Sequence, residues 1–160
     1  MLTIRPATPA DVPQILAFIR ALATYEREPD AVVATEADLL RDGFDANPRF
    51  YCLIAELPEA CHMVPAGFAL YFHNYSTFVG RRGLYLEDLF VKPAFRGRGI
   101  GKRLLVELAR VAIDRGCGRF EWTVLDWNEP AIAFYESLGA QRMLAWQICR
   151  LTGASLRRYG

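Results

Sequence analysis

The chain has 160 residues, 52% of them apolar and 23% charged, with 10 Phe, 7 Tyr and 3 Trp. That is the composition of a single well-packed globular domain spanning the whole chain; two full enzymatic domains do not fit, and disorder is excluded for most of it. The 19 basic and 18 acidic residues leave a net charge of +1, so the whole-molecule field gives no reason to expect nucleic acid or a membrane as partner, and any anion site must be local.

No run approaches the ~18 consecutive apolar residues that span a bilayer, and Met1-Leu2-Thr3-Ile4-Arg5-Pro6 lacks the basic segment and apolar run of a signal peptide. Cys52, Cys61, Cys117 and Cys149 have no close pairs and sit mostly in apolar runs. They read as reduced thiols of a cytoplasmic protein, without disulfides or zinc. Cys61-His62, the only Cys/His neighbour pair, reads as surface loop.

Leu2 to Arg5 alternates as a first strand. Thr8-Pro9-Ala10-Asp11 carries a cap residue, a proline at the first helical position and an acid at the third, which starts a helix. Val12, Ile15, Leu16, Ile19 and Leu22 continue it to about Thr24. Thr35-Glu36-Ala37-Asp38 repeats the signal for a short helix through Arg41. Phe50 to Leu57 and Gly67 to Tyr75 read as hairpin strands around a Pro58 to Pro65 loop, and Gly83 to Val91 as a further strand closed by Pro93. Ile100, Leu104, Leu105, Leu108, Val111 and Ala112 define the longest amphipathic helix, from about Gly99 to Arg115. A strand from Phe120 to Leu125, a helix from Pro130 to Leu138 and a last strand from Met143 to Leu151 complete the chain. The order β-α-α-β-β-β-α-β-α-β predicts a mixed sheet with helices packed on it.

The most informative stretch runs from Val91 to Lys102, with Gly97, Gly99 and Gly101 between a strand and the long helix. A helix N-terminus offers unpaired N–H groups and the positive end of a dipole, and glycines let a diphosphate approach the backbone, so such a turn binds phosphate. A Walker loop fails twice, because Arg96 stands where its first glycine belongs and Arg103 where its hydroxyl belongs. A dinucleotide fingerprint from Gly97 fails at Lys102. The remaining pattern, Arg-x-x-Gly-x-Gly at Arg96, Gly99 and Gly101, resembles the coenzyme A pyrophosphate loop of the GNAT N-acetyltransferases. Asn128-Glu129-Pro130-Ala131, Tyr135 and Gly139-Ala140 resemble that family's second signature. Ile4 to Thr8, Tyr25-Glu26, Asp38-Leu39-Leu40, Asp42-Gly43-Phe44, Leu84 to Asp88 and Trp127 to Pro130 are similar to its diamine acetyltransferase branch, the spermidine/spermine and thialysine enzymes.

The resemblance implies the GNAT fold, an α/β (α+β) arrangement with a mostly antiparallel twisted sheet of six to seven strands flanked by about four helices. It implies transfer of acetyl from acetyl-CoA to a primary amine of a small molecule by direct attack in a ternary complex, with no metal. Arg96, Gly97, Arg98, Gly99, Ile100, Gly101 and Lys102 would hold the pyrophosphate. Leu89, Phe90 and Val91, with Asn128, Pro130 and Ala131, would hold the pantetheine arm. Tyr135 would protonate the departing thiolate. Regular alternation sends Glu87 and Asp88 to opposite faces of an apolar strand, burying a carboxylate unless the strand bulges; Glu87 is then the candidate for accepting the amine's proton. Tyr25, Glu26, Glu87, Asp88, Trp122 and Thr123 would contact the acceptor. Because direct attack needs no acyl-enzyme, Cys117 and Cys149 are expected in the core. Asn74 to Phe78 and Leu144 to Trp146 lack acids that the polyamine enzymes carry, and Arg81 and Arg82 add positive charge, so a short amine or an amino acid such as thialysine is favoured over a long polyamine. The branch forms homodimers whose last strands pack across the two-fold. Other readings are acetylation of a protein or aminoglycoside amine, a non-catalytic coenzyme-binding module, and a nucleic-acid binder using the arginines between Arg81 and Arg119. Interleaved acids such as Glu107 and Asp114 argue against the last.

Overall fold

The computed structural model describes residues 1–160, which form two compact units, Met1–Thr123 and Val124–Gly160. The first contains β1 (Thr3–Pro6), α1 (Val12–Tyr25), α2 (Glu36–Phe44), β2 (Tyr51–Glu59), β3 (His62–Ser76), β4 (Arg81–Val91), α3 (Ile100–Asp114) and β5 (Phe120–Trp122). The five strands lie in chain order, the first four antiparallel and β5 parallel to β4 after the α3 crossover.

Both predicted helix starts form as local polar boxes. The Thr8 N–H donates to Asp11 Oδ2 at 2.7 Å, and Thr35 and Asp38 exchange the full pair of capping bonds. Asp11 does more than cap. It is buried and takes both terminal nitrogens of Arg5 at 2.8 Å, while Glu56 takes Nε and Nη2 of the same guanidinium. The Arg5 pair, ahead of the Thr8 bonds, holds the Asp11 carboxyl well below the usual range. Asp11→Ala should therefore cost about 2–3 kcal/mol, since a half-open Arg5 is stripped of one partner and the helix start of its acid. A drop in Tm of roughly 5–10 °C checks it. In the wild type this stability is present above the ordinary aspartate pKa of about 4 and is lost as pH falls below it toward the depressed value.

Residues directly opposed in a ladder share a face. Cys52, Ile54, Phe68, Leu70 and Phe90 pack with Val12, Ile15, Leu16 and Phe18 of α1 and Leu39 of α2, with the Phe18 and Phe68 rings stacked 5.2 Å apart. Leu53, Ala69, Tyr71, Leu84 and Leu86 occupy the other face, against which α3 lays buried Leu104, Leu105, Leu108 and Ala112. Beyond α3, Arg115 donates to His73 Nε2 at 2.8 Å while Nδ1 meets the Gly83 carbonyl at 3.1 Å. Arginine can only donate, so His73 is neutral with its proton on Nδ1; burial, ahead of the Arg115 charge, keeps its pKa low.

Three expectations are corrected. The hairpin of β2 and β3 continues through Pro58 and Pro65, so the eight-residue loop shrinks to a turn at Ala60-Cys61, with Ala60 left-handed at φ 50°. Pro58 lies past the reach of β1, on an edge where its missing N–H costs nothing, and Pro65 borders a bulge. Met143 to Leu151 is not a strand. The second unit contains only α4 (Glu129–Ser137) and α5 (Gly153–Arg157), so the run has no strand in its own unit to take up its N–H and C=O groups. The sheet thus has five strands rather than six to seven, and there are five α-helices rather than about four. Finally, Cys149 is exposed and Cys117 half-buried rather than core; the Cys117 sulfur lies 3.8 Å from His73 Nδ1 in the polar cluster just described.

Candidate active site

β4 ends at Val91, a single 3-10 turn (Pro93–Phe95) follows, and buried Phe95 and Ile100 anchor the two sides of the glycine loop. Gly97 and Gly99 are left-handed at φ 74° and 75°, a region other residues enter only with strain. A Cβ at either position meets no atom within 4 Å, so it would project into the open space before the helix. Gly99 is the N-cap of α3, its carbonyl accepting from Arg103 at 3.0 Å, which leaves the N–H groups of Ile100, Gly101 and Lys102 ahead of the helical ladder. Exposed Arg98 and Lys102 flank them. These residues fit a pyrophosphate. β5 pairs only with Leu84 to Leu86, so Leu89, Phe90 and Val91 have a strand partner on the β3 side alone, an edge able to take an extended amide-bearing arm.

The two carboxylates of β4 do not alternate. Leu70 opposes Asp88 and Tyr71 opposes Leu86, so Glu87 is the extra residue of a bulge and the strand's phase shifts at that point. Asp88 comes onto the face of Leu70 and Phe90 that α1 covers, and Glu87, which regular alternation from Leu86 already sends there, stays with it. Glu87 is exposed and Asp88 half-buried. Burial first, then the charges of Glu87 and Glu26, pushes the Asp88 carboxyl up to about 7, and burial likewise raises that of Glu26. Glu26 follows the last residue of α1, which closes over Arg27 in a left-handed conformation, φ 67°, with Glu28 N–H bonded to the Ala23 carbonyl at 2.9 Å.

Tyr25, Glu26, Glu87, Asp88, Arg96 and the glycine loop are therefore gathered at one end of the first unit. Trp122 is not among them, because its pairing with Leu86 sets it on the α3 face, its ring 4.9 Å from that of Phe120; Thr123 follows it, exposed. In the second unit Asn128 is buried at the N-cap of α4, but its side chain makes no capping bond; instead its carbonyl accepts from Ile132 at 3.0 Å. Pro130 and half-buried Ala131 form the first turn, and half-buried Tyr135 lies one residue on from Phe134, ring centroids 5.4 Å apart. The Arg96 guanidinium stacks over the Tyr25 ring, a contact with no local signal in the sequence.

A mixed sheet with a glycine-rich phosphate turn at the head of its crossover helix, and an open strand edge beside it, is the architecture of a coenzyme-dependent acetyltransferase. Residues 15–140 match the model of the acetyltransferase (GNAT) family, to which the chain belongs. It is 43% identical over 163 residues to the thialysine N-epsilon-acetyltransferase of Sus scrofa, covering 96% of this chain and 94% of that protein. It is 36% identical to the L-ornithine N5-acetyltransferase of Arabidopsis thaliana, with 96% and 86% coverage. An integron cassette protein from the mobile metagenome of V. cholerae superposes with a TM-score of 0.80 at 27% identity, over 99% of this chain and 96% of that one. The protein is an acyltransferase.

Proposed function

We propose that this enzyme acetylates, from acetyl-CoA, the terminal primary amine of a small amino acid or short diamine. The observation that carries the reading is the set of three carboxylates, Glu26, Glu87 and Asp88, beside the glycine loop, two of them on one face because β4 bulges. An aliphatic amine arrives as a cation with a pKa near 10, so it needs negative charge to bind and a proton acceptor to react. Asp88 and Glu26 hold the cation, and Glu87 removes the proton, directly or through water. Acetyl-CoA, when bound, supplies the activated thioester. Arg96 to Lys102 would hold its pyrophosphate and Leu89 to Val91 its arm, where a backbone N–H would polarise the thioester carbonyl; Asn128, Pro130 and Ala131 are the further candidates for the arm. Tyr135 would be the proton donor to the departing sulfur. No cysteine takes part. Cys52, which feels the charge of Asp88, is buried, and burial pushes its pKa far up, so it has no thiolate to offer. The relatives that act on thialysine and ornithine, both amino acids with a terminal amine, support the choice of acceptor.

The test has two arms. Acetyl-CoA at about 100 times its Kd should stabilise the fold by about 2.7 kcal/mol, roughly 5–10 °C in Tm, with smaller shifts from ATP and NAD; equal shifts would sink the coenzyme assignment. In a thiol-release assay across an amine panel, thialysine, ornithine and short diamines should turn over faster than spermine. The reverse order would overturn the acceptor.

The exposed apolar residues Met143, Leu144, Trp146 and Ile148 support a homodimer formed through this segment, since a single chain rarely leaves such a run in water. Light scattering at micromolar concentration should give twice the chain mass, and a monomer mass would count against it.

A further inference from the structure

We propose that Tyr25 is a positioning residue for the coenzyme rather than a contact for the amine, its ring serving as the platform that holds the Arg96 guanidinium at the mouth of the glycine loop. The inference rests on the reading that this loop binds coenzyme A. Arg96 lies on an exposed stretch, yet its side chain is fixed on three sides. The guanidinium carbon lies 5.0 Å from the centroid of the Tyr25 ring and 5.7 Å from that of Phe90, and Nε donates to the Val91 carbonyl at 3.0 Å. Of the five N–H donors of an arginine this uses one, and the four on Nη1 and Nη2 remain for phosphate oxygens.

A long exposed side chain loses its rotamer freedom when it grips a ligand, and a guanidinium already stacked loses less. Phe90 is buried and packed within the core. Tyr25 comes from a distant part of the chain and is set by the way α1 stops: it is the last helical residue, and the next turn is pinned by Glu26 and Glu28 N–H bonds to the Leu22 and Ala23 carbonyls, both at 2.9 Å. The stack uses the ring face, so the phenol hydroxyl is dispensable for it.

Calorimetric titration of coenzyme A itself, without turnover, tests this. Tyr25→Leu should weaken coenzyme A about 5–10-fold and Tyr25→Phe less than about twofold, the scale of a partly desolvated cation–π contact. Arg96→Ala should weaken it about 10–30-fold, and the double variant Tyr25→Leu with Arg96→Ala no further than Arg96→Ala alone, because the platform has nothing left to hold. With saturating acetyl-CoA, the amine KM of Tyr25→Leu should match the wild type. An unchanged coenzyme Kd in Tyr25→Leu, additive losses in the double variant, or a raised amine KM in Tyr25→Phe would each overturn the role. Wild-type protein that does not bind coenzyme A would instead overturn the functional reading on which the proposal stands.

Discussion

Tyr135→Phe should lower turnover about 100-fold while leaving coenzyme affinity within about twofold, because it removes one hydroxyl and keeps the ring. Tyr135 is half-buried on α4, and phenylalanine preserves the ring contact with Phe134. General acids typically contribute roughly 10²–10⁴. The low end applies here, since a thiolate whose conjugate thiol has a pKa of about 8–9 leaves tolerably well without help. The measurement is single-turnover acetyl transfer, where product release cannot mask the chemical step. Full turnover under those conditions would make Tyr135 a packing residue and assign the proton to water or another group.

What was legible beforehand is what neighbours in sequence decide. The boxes at Thr8 and Thr35 need only residues three apart, the long helix needs only its apolar spacing, and the glycines at 97 and 99 announce left-handed turns that few other residues tolerate. What was hidden depends on partners. Counting along β4 alone cannot place the bulge at Glu87, because a bulge is a mismatch of register with β3; the carboxylates' shared face, and the lifted pKa of Asp88 that follows from burial beside Glu87 and Glu26, were out of reach for the same reason. Pro58 reads as a breaker until β1 is seen to end short of it. The apolar run from Met143 to Leu151 alternates well enough for a strand, yet a strand is a property of pairs and its unit offers no second one. Arg5 has no local signal of its partner Glu56, which only the pairing of β1 with β2 brings to it.

The carboxylates of β4 should separate by pH. Asp88, lifted to about 7 by burial and then by Glu87 and Glu26, is neutral below that pH and ionised above it. An alkylamine stays cationic up to about pH 10, so kcat/KM for the amine should rise through pH 7 as the site gains a negative charge, and this limb belongs to the free enzyme. Besides Glu87 on the same strand, the groups that interact with Asp88 are Glu26 after α1 and the Cys52 thiol on β2, which stays protonated throughout this range. Asp88→Asn should flatten the limb and weaken the amine about 10-fold, the cost of one charge-assisted bond. Glu87→Gln should act differently: with its proton acceptor gone, plateau turnover should fall about 100-fold, and with one repelling charge removed Asp88 should ionise more easily, moving the limb to lower pH. The two variants are near-isosteric and one of the positions is exposed, so a loss of fold is not the expected cause of either effect. A limb that stays at pH 7 in Asp88→Asn would assign it to another group, and a limb that moves up in Glu87→Gln would mean that Glu87 stabilises the Asp88 carboxylate rather than opposing it.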